Sequence, residues 1–138
     1  GLQTIHEKTA VLINRCYSLP VYDKAVKNLR ALGIAVIVHV ILGLPFETQE
    51  EMLETVDYVC KSGVQGIKLQ LLHVLNGTAL AELYKTGVYT PLTMDAYLDI
   101  LELCIKKIPP SVVVHRLTGD GPKSLLLAPL WSAEKNEC

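Results

Sequence analysis

Apolar residues run almost unbroken over positions 34–42, where His39 is the only polar side chain. Because many of these residues are β-branched, the run predicts a strand that is buried on both faces of a parallel sheet. Gly43 then permits a sharp turn, and Thr48 with Glu51 forms the T-x-x-E capping box that opens a helix. The pattern therefore predicts a strand, a ligand-accessible loop and a helix, in the order typical of α/β proteins.

The rest of the chain alternates between the same two patterns. Segments with apolar residues at helical spacing alternate with short β-branched runs, and glycines and prolines separate them. This alternation predicts an α/β fold, with parallel strands joined by right-handed helical crossovers. The predicted strands are 34–42, 67–74 and 112–116, and the predicted helices are 4–17, 21–32, 49–62, 79–85, 94–107 and a last turn at 123–127.

Three predicted strands are too few for an isolated parallel sheet, because both its faces and its edges need cover. The opening residues Gly1-Leu-Gln-Thr4 fit a loop just after a strand, and the first predicted element is a helix. We therefore expect residues 1–138 to form a single unit, the second half of a (β/α) barrel of the TIM type. The exposed sheet edge of such a half-barrel predicts self-association.

Composition excludes several classes of function. Half of the 138 residues are hydrophobic and the formal net charge is −1, which argues against disorder and against a broad nucleic-acid surface. The longest apolar run is too short to cross a membrane and no signal segment is visible, so we expect a cytoplasmic chain without membrane contact. Four widely spaced cysteines are expected to be reduced thiols and not metal ligands: Cys16, Cys60, Cys104 and Cys138.

Strand alternation assigns polar side chains to one face of the first two strands. That face carries His39, Ile41 and Gly43 on the first strand, and Lys68, Gln70 and Leu72 on the second. We expect it to line the barrel interior, where His39 either donates a hydrogen bond to a ligand or bonds a backbone carbonyl as a core histidine. The polar face suits a binding cavity, although Lys68 equally fits a barrel floor filled by snorkelling side chains.

His73 and His115 fall near predicted strand ends and are expected to face the same mouth as His39. We predict no metal site there, because no His-x-x-x-His spacing occurs. In the loop 116–122, two glycines beside an arginine and an acid suit either anion binding or a tight turn closed by an Arg–Asp pair. No G-x-S-x-G, H-E-x-x-H, P-loop or G-x-G-x-x-G motif is present.

Four motifs resemble, in order and spacing, the later half of the radical S-adenosylmethionine enzymes. They are Gly1-Leu-Gln-Thr4, Ile13-Asn-Arg15, Val38-His-Val-Ile-Leu-Gly-Leu-Pro-Phe-Glu-Thr48 and Leu72-His-Val-Leu-Asn-Gly-Thr78. The chain is most similar to uncharacterised bacterial iron–sulfur oxidoreductases akin to the Elongator-type and coproporphyrinogen-type enzymes, of which Val114-His-Arg-Leu-Thr-Gly-Asp-Gly-Pro122 is typical. The resemblance covers nearly the whole chain and implies a radical S-adenosylmethionine barrel.

The resemblance also implies roles for individual residues. It implies that Gln3 and Arg15 hold the ribose and methionyl portions of S-adenosylmethionine. His39 is then similar to the residue that meets the ribose, and Ile41 and Leu72 to those on either side of adenine. The cofactor-binding residues that we predict are Gln3, Arg15, His39, Ile41, Gly43 and Leu72, and the predicted substrate contacts are His73, Asn76, His115, Arg116 and Asp120. Two positions depart from the family, which often has aspartate in place of His39 and glycine in place of Phe46.

Family catalysis needs a C-x-x-x-C-x-x-C triplet that holds a [4Fe–4S] cluster, and this sequence contains none. The resemblance therefore implies the C-terminal part of a longer oxidoreductase, with no catalytic residue in this chain and no activity of the chain alone. Its Elongator-type members make a tRNA-type substrate one expectation for the parent enzyme. Two other functions stay open, a non-catalytic nucleotide-binding module and a half-barrel used for assembly.

Overall fold

The computed structural model describes residues 1–134, so the predicted thiol of Cys138 lies outside the described residues. In chain order, the elements are α1 (Glu7–Leu12), α2 (Leu19–Ala31), β1 (Ile37–Leu42), α3 (Gln49–Lys61), β2 (Gly66–Leu71), β3 (Val74–Leu75), α4 (Ala79–Lys85), α5 (Met94–Lys107), β4 (Val113–Arg116), β5 (Leu126–Ala128) and a final 3₁₀ turn (Leu130–Ala133).

Strands β1, β2 and β4 form a parallel sheet in that order, which confirms the predicted α/β fold. The chain before α1 adds a fragment of a further parallel strand, because Gln3 bridges Val40 on the outer edge of β1. The Gln3 N–H donates to His39 O at 2.9 Å, and the Ile41 N–H donates to Gln3 O at 3.1 Å. Gln3 thus extends the parallel pairing by one residue beyond the outer edge of β1.

Helices α3 and α5 pack on one face of the sheet. Alternate residues of β1 and β2 are buried against α3 and α5 in one hydrophobic core: Val38, Val40, Leu42, Ile67, Leu69 and Leu71. The opposite face, which we call the open face, is polar and half-buried and consists of His39, Ile41, Lys68, Gln70 and Arg116. The predicted alternation along the first two strands is therefore confirmed.

Three local predictions differ from the structure. The predicted helix 4–17 is reduced to α1, because Asn14 and Cys16 take left-handed φ values of 56° and 64° that end it. The predicted strand 67–74 divides into β2 and β3, because the parallel pairing ends after the Leu72 N–H donates to Leu42 O at 3.0 Å. The predicted helical turn at 123–127 is wrong: β5 pairs there with β3 in a small antiparallel ribbon. Within residues 1–134, no helix has both the length and the apolar character needed to span a membrane.

Candidate cofactor-binding site

A cavity of about 560 Å³ opens where β1 meets the loop that follows it. Four of the residues predicted to contact the cofactor line this cavity together: Gln3, Arg15, Ile41 and Leu72. The remaining walls come from the end of α1, the loop after β1 and the start of α4, and include Asn14, Tyr17, Leu44, Pro45, Thr78, Leu80 and Leu83. The resemblance implied that the loop after Leu72, which ends at Thr78, lies beside adenine, and the sequence assigned no cofactor contact to the other wall residues.

Gln3 carries the most unusual polar group of the cavity. Its side-chain Oε1 is buried and has no hydrogen-bond partner within residues 1–134. A buried acceptor without a partner costs about 1–3 kcal/mol, so such atoms are uncommon in folded proteins. Because Gln3 lines the cavity, its side-chain amide is a candidate partner for a ligand with a hydroxyl or amino donor, once the amide turns toward the cavity.

Backbone strain is concentrated around the same cavity. The non-glycine residues with positive φ in the described part of the chain are Gln3 (63°), Asn14 (56°), Cys16 (64°) and Phe46 (64°). Gln3 and Asn14 line the cavity, Cys16 lies between two lining residues, and Phe46 directly follows another. Strained conformations cost about 1–3 kcal/mol each and cluster at functional sites, so their distribution favours a binding role for this cavity.

Arg15 organises the chain around the cavity. Its side chain is only 3% exposed. Nη1 donates to Thr4 O at 2.6 Å and to Leu2 O at 3.3 Å. Nε donates to Tyr17 O at 2.9 Å, and the guanidinium carbon lies 4.7 Å from the centre of the Tyr17 ring.

Nη2 of Arg15 also lies 3.3 Å from Glu7 Oε1, an oxygen that accepts a hydrogen bond from the Leu19 N–H at 2.6 Å. These bonds leave one Nη2 N–H of Arg15 for a ligand, because a guanidinium has five N–H groups. Contact between Arg15 and the cofactor stays a prediction, and the structure adds a positioning role for this side chain.

Gly43 shapes the loop beside the cavity and is not one of its lining residues. Its φ is +89°, and a β-carbon added at this position would lie 3.1 Å from Leu92 Cδ1. The Tyr89 hydroxyl donates to Gly43 O at 2.8 Å in a buried environment, and burial raises the pKa of Tyr89 to about 12. Gly43 is therefore required by the turn, whereas its contact with a ligand stays a prediction.

His39 lies outside the cavity, on the open face beside Lys68. Burial lowers the pKa of His39, and the positive charge of Lys68 lowers it further. The guanidinium of Arg116 acts in the same direction. His39 is two residues before the cavity residue Ile41 on β1. Its predicted contact with the ribose therefore stays a prediction.

The predicted substrate residues divide between two places. His73 packs against the loop after β4, where a β-carbon added at Gly119 would lie 2.9 Å from His73 Cε1. Burial lowers the pKa of His73, while the nearby charge of Asp120 opposes this shift. His73 lines a smaller cavity of about 250 Å³ together with Thr118 and Trp131. The Asn76 N–H belongs to the β3–β5 ribbon, where it donates to Leu125 O at 2.7 Å.

His115 and Arg116 lie elsewhere. A β-carbon added at Gly66, the first residue of β2, would lie 2.6 Å from His115 Cδ2. His115 therefore sits at the amino end of the neighbouring strand, and the prediction that three histidines share one mouth is wrong. The physical reason is the stagger of β4, whose last residue, Arg116, pairs with Lys68 near the start of β2.

No metal centre is assembled by the described part of the chain, since no three histidine, cysteine or acidic side chains there lie close enough to hold an ion. Cys16, Cys60 and Cys104 are free thiols. Burial raises the pKa of Cys60, and it raises that of Cys104 to about 11. The raised pKa values favour the protonated form of both thiols, which is a poor nucleophile.

Residues 64–138 match the Radical_SAM C-terminal domain family. The chain belongs to this family. The match confirms the resemblance that the motifs indicated, and it covers strands β2 and β4 of the parallel sheet together with the β3–β5 ribbon.

Alignments to individual relatives extend beyond residues 64–138 and cover nearly the whole of this Radical_SAM C-terminal chain. It is 45% identical over 137 residues to the uncharacterized protein YtqA of Bacillus subtilis, covering 99% of this chain and 42% of the relative. It is 37% identical over 131 residues to protein YhcC of Escherichia coli, covering 95% and 42% of the two proteins. Elongator complex protein 3 of Schizosaccharomyces pombe is 27% identical over 129 residues, with 91% of this chain and 24% of that protein covered.

A solved structure shares the fold. Elp3 of the archaeon Methanocaldococcus infernus superposes with a TM-score of 0.83 at 22% sequence identity, over 92% of this chain and 30% of that protein. The chain thus spans less than half the length of each relative compared here.

Proposed function

We propose that this chain forms the adenosyl-binding half of a radical S-adenosylmethionine enzyme whose [4Fe–4S] cluster is held by residues outside it. The observation that carries the proposal is the single cavity that Gln3, Arg15, Ile41 and Leu72 line, together with the buried side-chain oxygen of Gln3 that has no partner within residues 1–134. Membership of the Radical_SAM C-terminal domain family and the similarity to Elongator complex protein 3 support it.

The residues present fit an adenosyl group. Ile41 and Leu72 offer aliphatic surfaces to a flat purine, and Gln3 Oε1 offers an acceptor to a ribose hydroxyl. A volume of about 560 Å³ also lies in the range usual for small-molecule sites. When bound beside its cluster, S-adenosylmethionine supplies radical chemistry by one-electron cleavage of a carbon–sulfur bond. The apolar residues Leu44, Leu80 and Leu83 would exclude water from that chemistry.

The proposal assigns the reaction to the full-length enzyme and expects the 138-residue chain alone to be inactive. The sequence contains no C-x-x-x-C-x-x-C triplet, so reductive cleavage requires cluster ligands from outside this chain. A tRNA-type substrate remains a hypothesis that rests on similarity to the Elongator proteins. Self-association through an exposed edge of the sheet likewise remains a hypothesis.

Calorimetric titration of the full-length protein with S-adenosylmethionine, ATP and adenosine tests the function. We expect S-adenosylmethionine to bind most tightly, and Ile41→Ala or Leu72→Ala to weaken it about tenfold, because each removes apolar surface from the base. Leu98→Ala, at a position 39% exposed on α5, is the matched control and should leave affinity unchanged. Preferential ATP binding would favour a nucleotide-binding module instead. Unchanged affinity in both cavity variants would favour an assembly half-barrel.

A further inference from the structure

Three cationic or titratable side chains form a row across the open face. The strand register aligns His39 of β1 with Lys68 of β2, and Lys68 with Arg116 of β4. A bulge in β4 produces this alignment, because the register shifts between Ile67 and Lys68. Because of this shift, Arg116 lies on the same face of the sheet as Lys68. The irregular pairing thus places two positively charged side chains next to each other.

The row has no counter-charge in the described part of the chain. Within residues 1–134, the side chains of Lys68 and Arg116 make neither a hydrogen bond nor an ion pair, although both residues are half-buried. Exposed lysines on the helices do pair, as Lys61 does with Asp57 at 2.7 Å. Like charges directly opposite each other on neighbouring strands repel, so the arrangement is unfavourable unless an anion lies against it.

Two further observations point to the same place. Positive charge on Lys68 and Arg116 contributes to the lowered pKa of His39, although burial is its main cause, so the electrostatic field of the row reaches the first strand. The ring of His115 lies against Gly66, one step below Lys68 on the same face, and fits only because Gly66 has no side chain. A second imidazole therefore borders the row and offers another hydrogen-bond donor.

The row lies close to the adenosyl cavity. His39 and Ile41 share the open face and are two residues apart on β1, so about 7 Å along the strand separates the row from the cavity. A molecule with an anionic group against the row would extend toward the cavity with its other end. This geometry suits a substrate that is held at one end and reacts near the adenosyl group.

We propose that His39, Lys68 and Arg116 bind an anionic group of the substrate, a carboxylate or a phosphate, on the open face beside the adenosyl cavity. The guanidinium of Arg116 offers paired N–H donors that match either anion, and the ammonium of Lys68 adds a point charge. Assignment of the anion to the substrate rests on the proposed function, whereas anion binding itself does not. The competing explanation is that these side chains only fill the floor of a barrel.

Histidine NMR titration of the full-length protein tests the proposal, with inorganic phosphate and acetate as separate probes at constant ionic strength set with chloride. A bound anion favours the imidazolium, so each probe that binds should raise the pKa of His39. Lys68→Met and Arg116→Gln should each weaken the effective probe about tenfold. Lys61→Met, on the exposed surface of α3, is the matched control and should not change the titration. Preference for phosphate or for acetate identifies which anion the row takes.

Absence of a His39 response to both probes, or an equal loss in the Lys61 variant, would overturn the proposal in favour of floor-filling side chains. S-adenosylmethionine affinity, measured in the same variants, separates this outcome from failure of the proposed function. Retained cofactor binding without an anion response refutes only the anion row. Specific anion binding without cofactor binding refutes the proposed function and leaves the row standing.

Discussion

The hydroxyl of Thr4 donates a hydrogen bond to the carboxylate of Glu47 at 2.5 Å, across 43 positions of sequence. Thr4 belongs to the segment that pairs with β1, and Glu47 belongs to the loop that follows β1. The same Thr4 oxygen accepts the His6 N–H at 3.1 Å, which ties the bond to the start of α1. Burial raises the pKa of Glu47, and the hydrogen bonds from Thr4 and Thr9 partly oppose this shift.

The raised pKa of Glu47 predicts a pH dependence of stability. The folded state binds this proton more tightly than the unfolded state, whose ordinary value is 4.5. The contribution to stability is therefore fully present below that value and is lost as the pH rises through the higher folded pKa. We expect Glu47→Gln to lack this loss, so the variant should gain stability relative to the native protein between acidic and neutral pH. Urea unfolding across that range measures the difference.

Glu50→Gln, on the exposed first turn of α3, is the matched control for Glu47→Gln. It removes the same charge without removing a half-buried carboxyl. Equal pH dependence in the two variants would contradict the role assigned to burial of Glu47.

Replacement of Gln3 should change stability and binding in opposite directions. Gln3→Leu removes the buried oxygen without a partner, so the free energy of unfolding should stay level or rise by up to about 1–3 kcal/mol. S-adenosylmethionine affinity should fall about tenfold, because the ligand loses an acceptor. Gln65→Leu is the control, since Gln65 Oε1 accepts the Val36 N–H at 2.7 Å. Gln65→Leu should lose stability and keep its affinity for S-adenosylmethionine. If Gln3→Leu also lost stability and kept its affinity, that result would argue against a ligand contact at Gln3.

The backbone of Phe46 has a strained conformation, whereas its side chain is exposed and makes little packing contact. Its φ is 64° and its side chain is 64% exposed, so substitution removes little packing. Phe46→Gly should be about 1 kcal/mol more stable than Phe46→Ala, because alanine keeps the cost of the left-handed conformation. The same pair of substitutions at Leu98, inside α5, should rank the other way. Thermal denaturation of the four variants would detect the reversal, and its absence would refute strain at Phe46.

Loss of the Tyr89 hydroxyl should loosen the loop after β1. Tyr89→Phe leaves the Gly43 carbonyl without its buried partner, so we expect a loss of about 1–2 kcal/mol of stability. The hydroxyl of Tyr84 makes no hydrogen bond within residues 1–134, and Tyr84→Phe is therefore the matched control. Equal stability of the two variants would show that the Tyr89 bond contributes nothing to the loop. Urea denaturation gives both values.

Local sequence chemistry determined α3, α4 and α5 and the faces of the first two strands. The capping box of Thr48 and Glu51 forms as predicted, and α4 and α5 have the predicted bounds. These features follow from contacts within a few residues, because a cap or a turn glycine acts on its own segment. Alternation of side chains along β1 and β2 follows from strand geometry alone and separates the core face from the open face.

Only the tertiary structure decided the pairings between distant segments. The apolar run at 123–127 is locally compatible with a helical turn, but β3 provides a strand partner there and β5 forms instead. Arg15 is a positioning residue because Thr4, Leu2 and Tyr17 bring their carbonyls around it, which no local pattern reveals. The cationic row likewise depends on a bulge in β4 that shifts the register by one residue. Such features depend on which segments, distant in sequence, pair in the folded protein and in which register. The local pattern of residues does not specify that pairing.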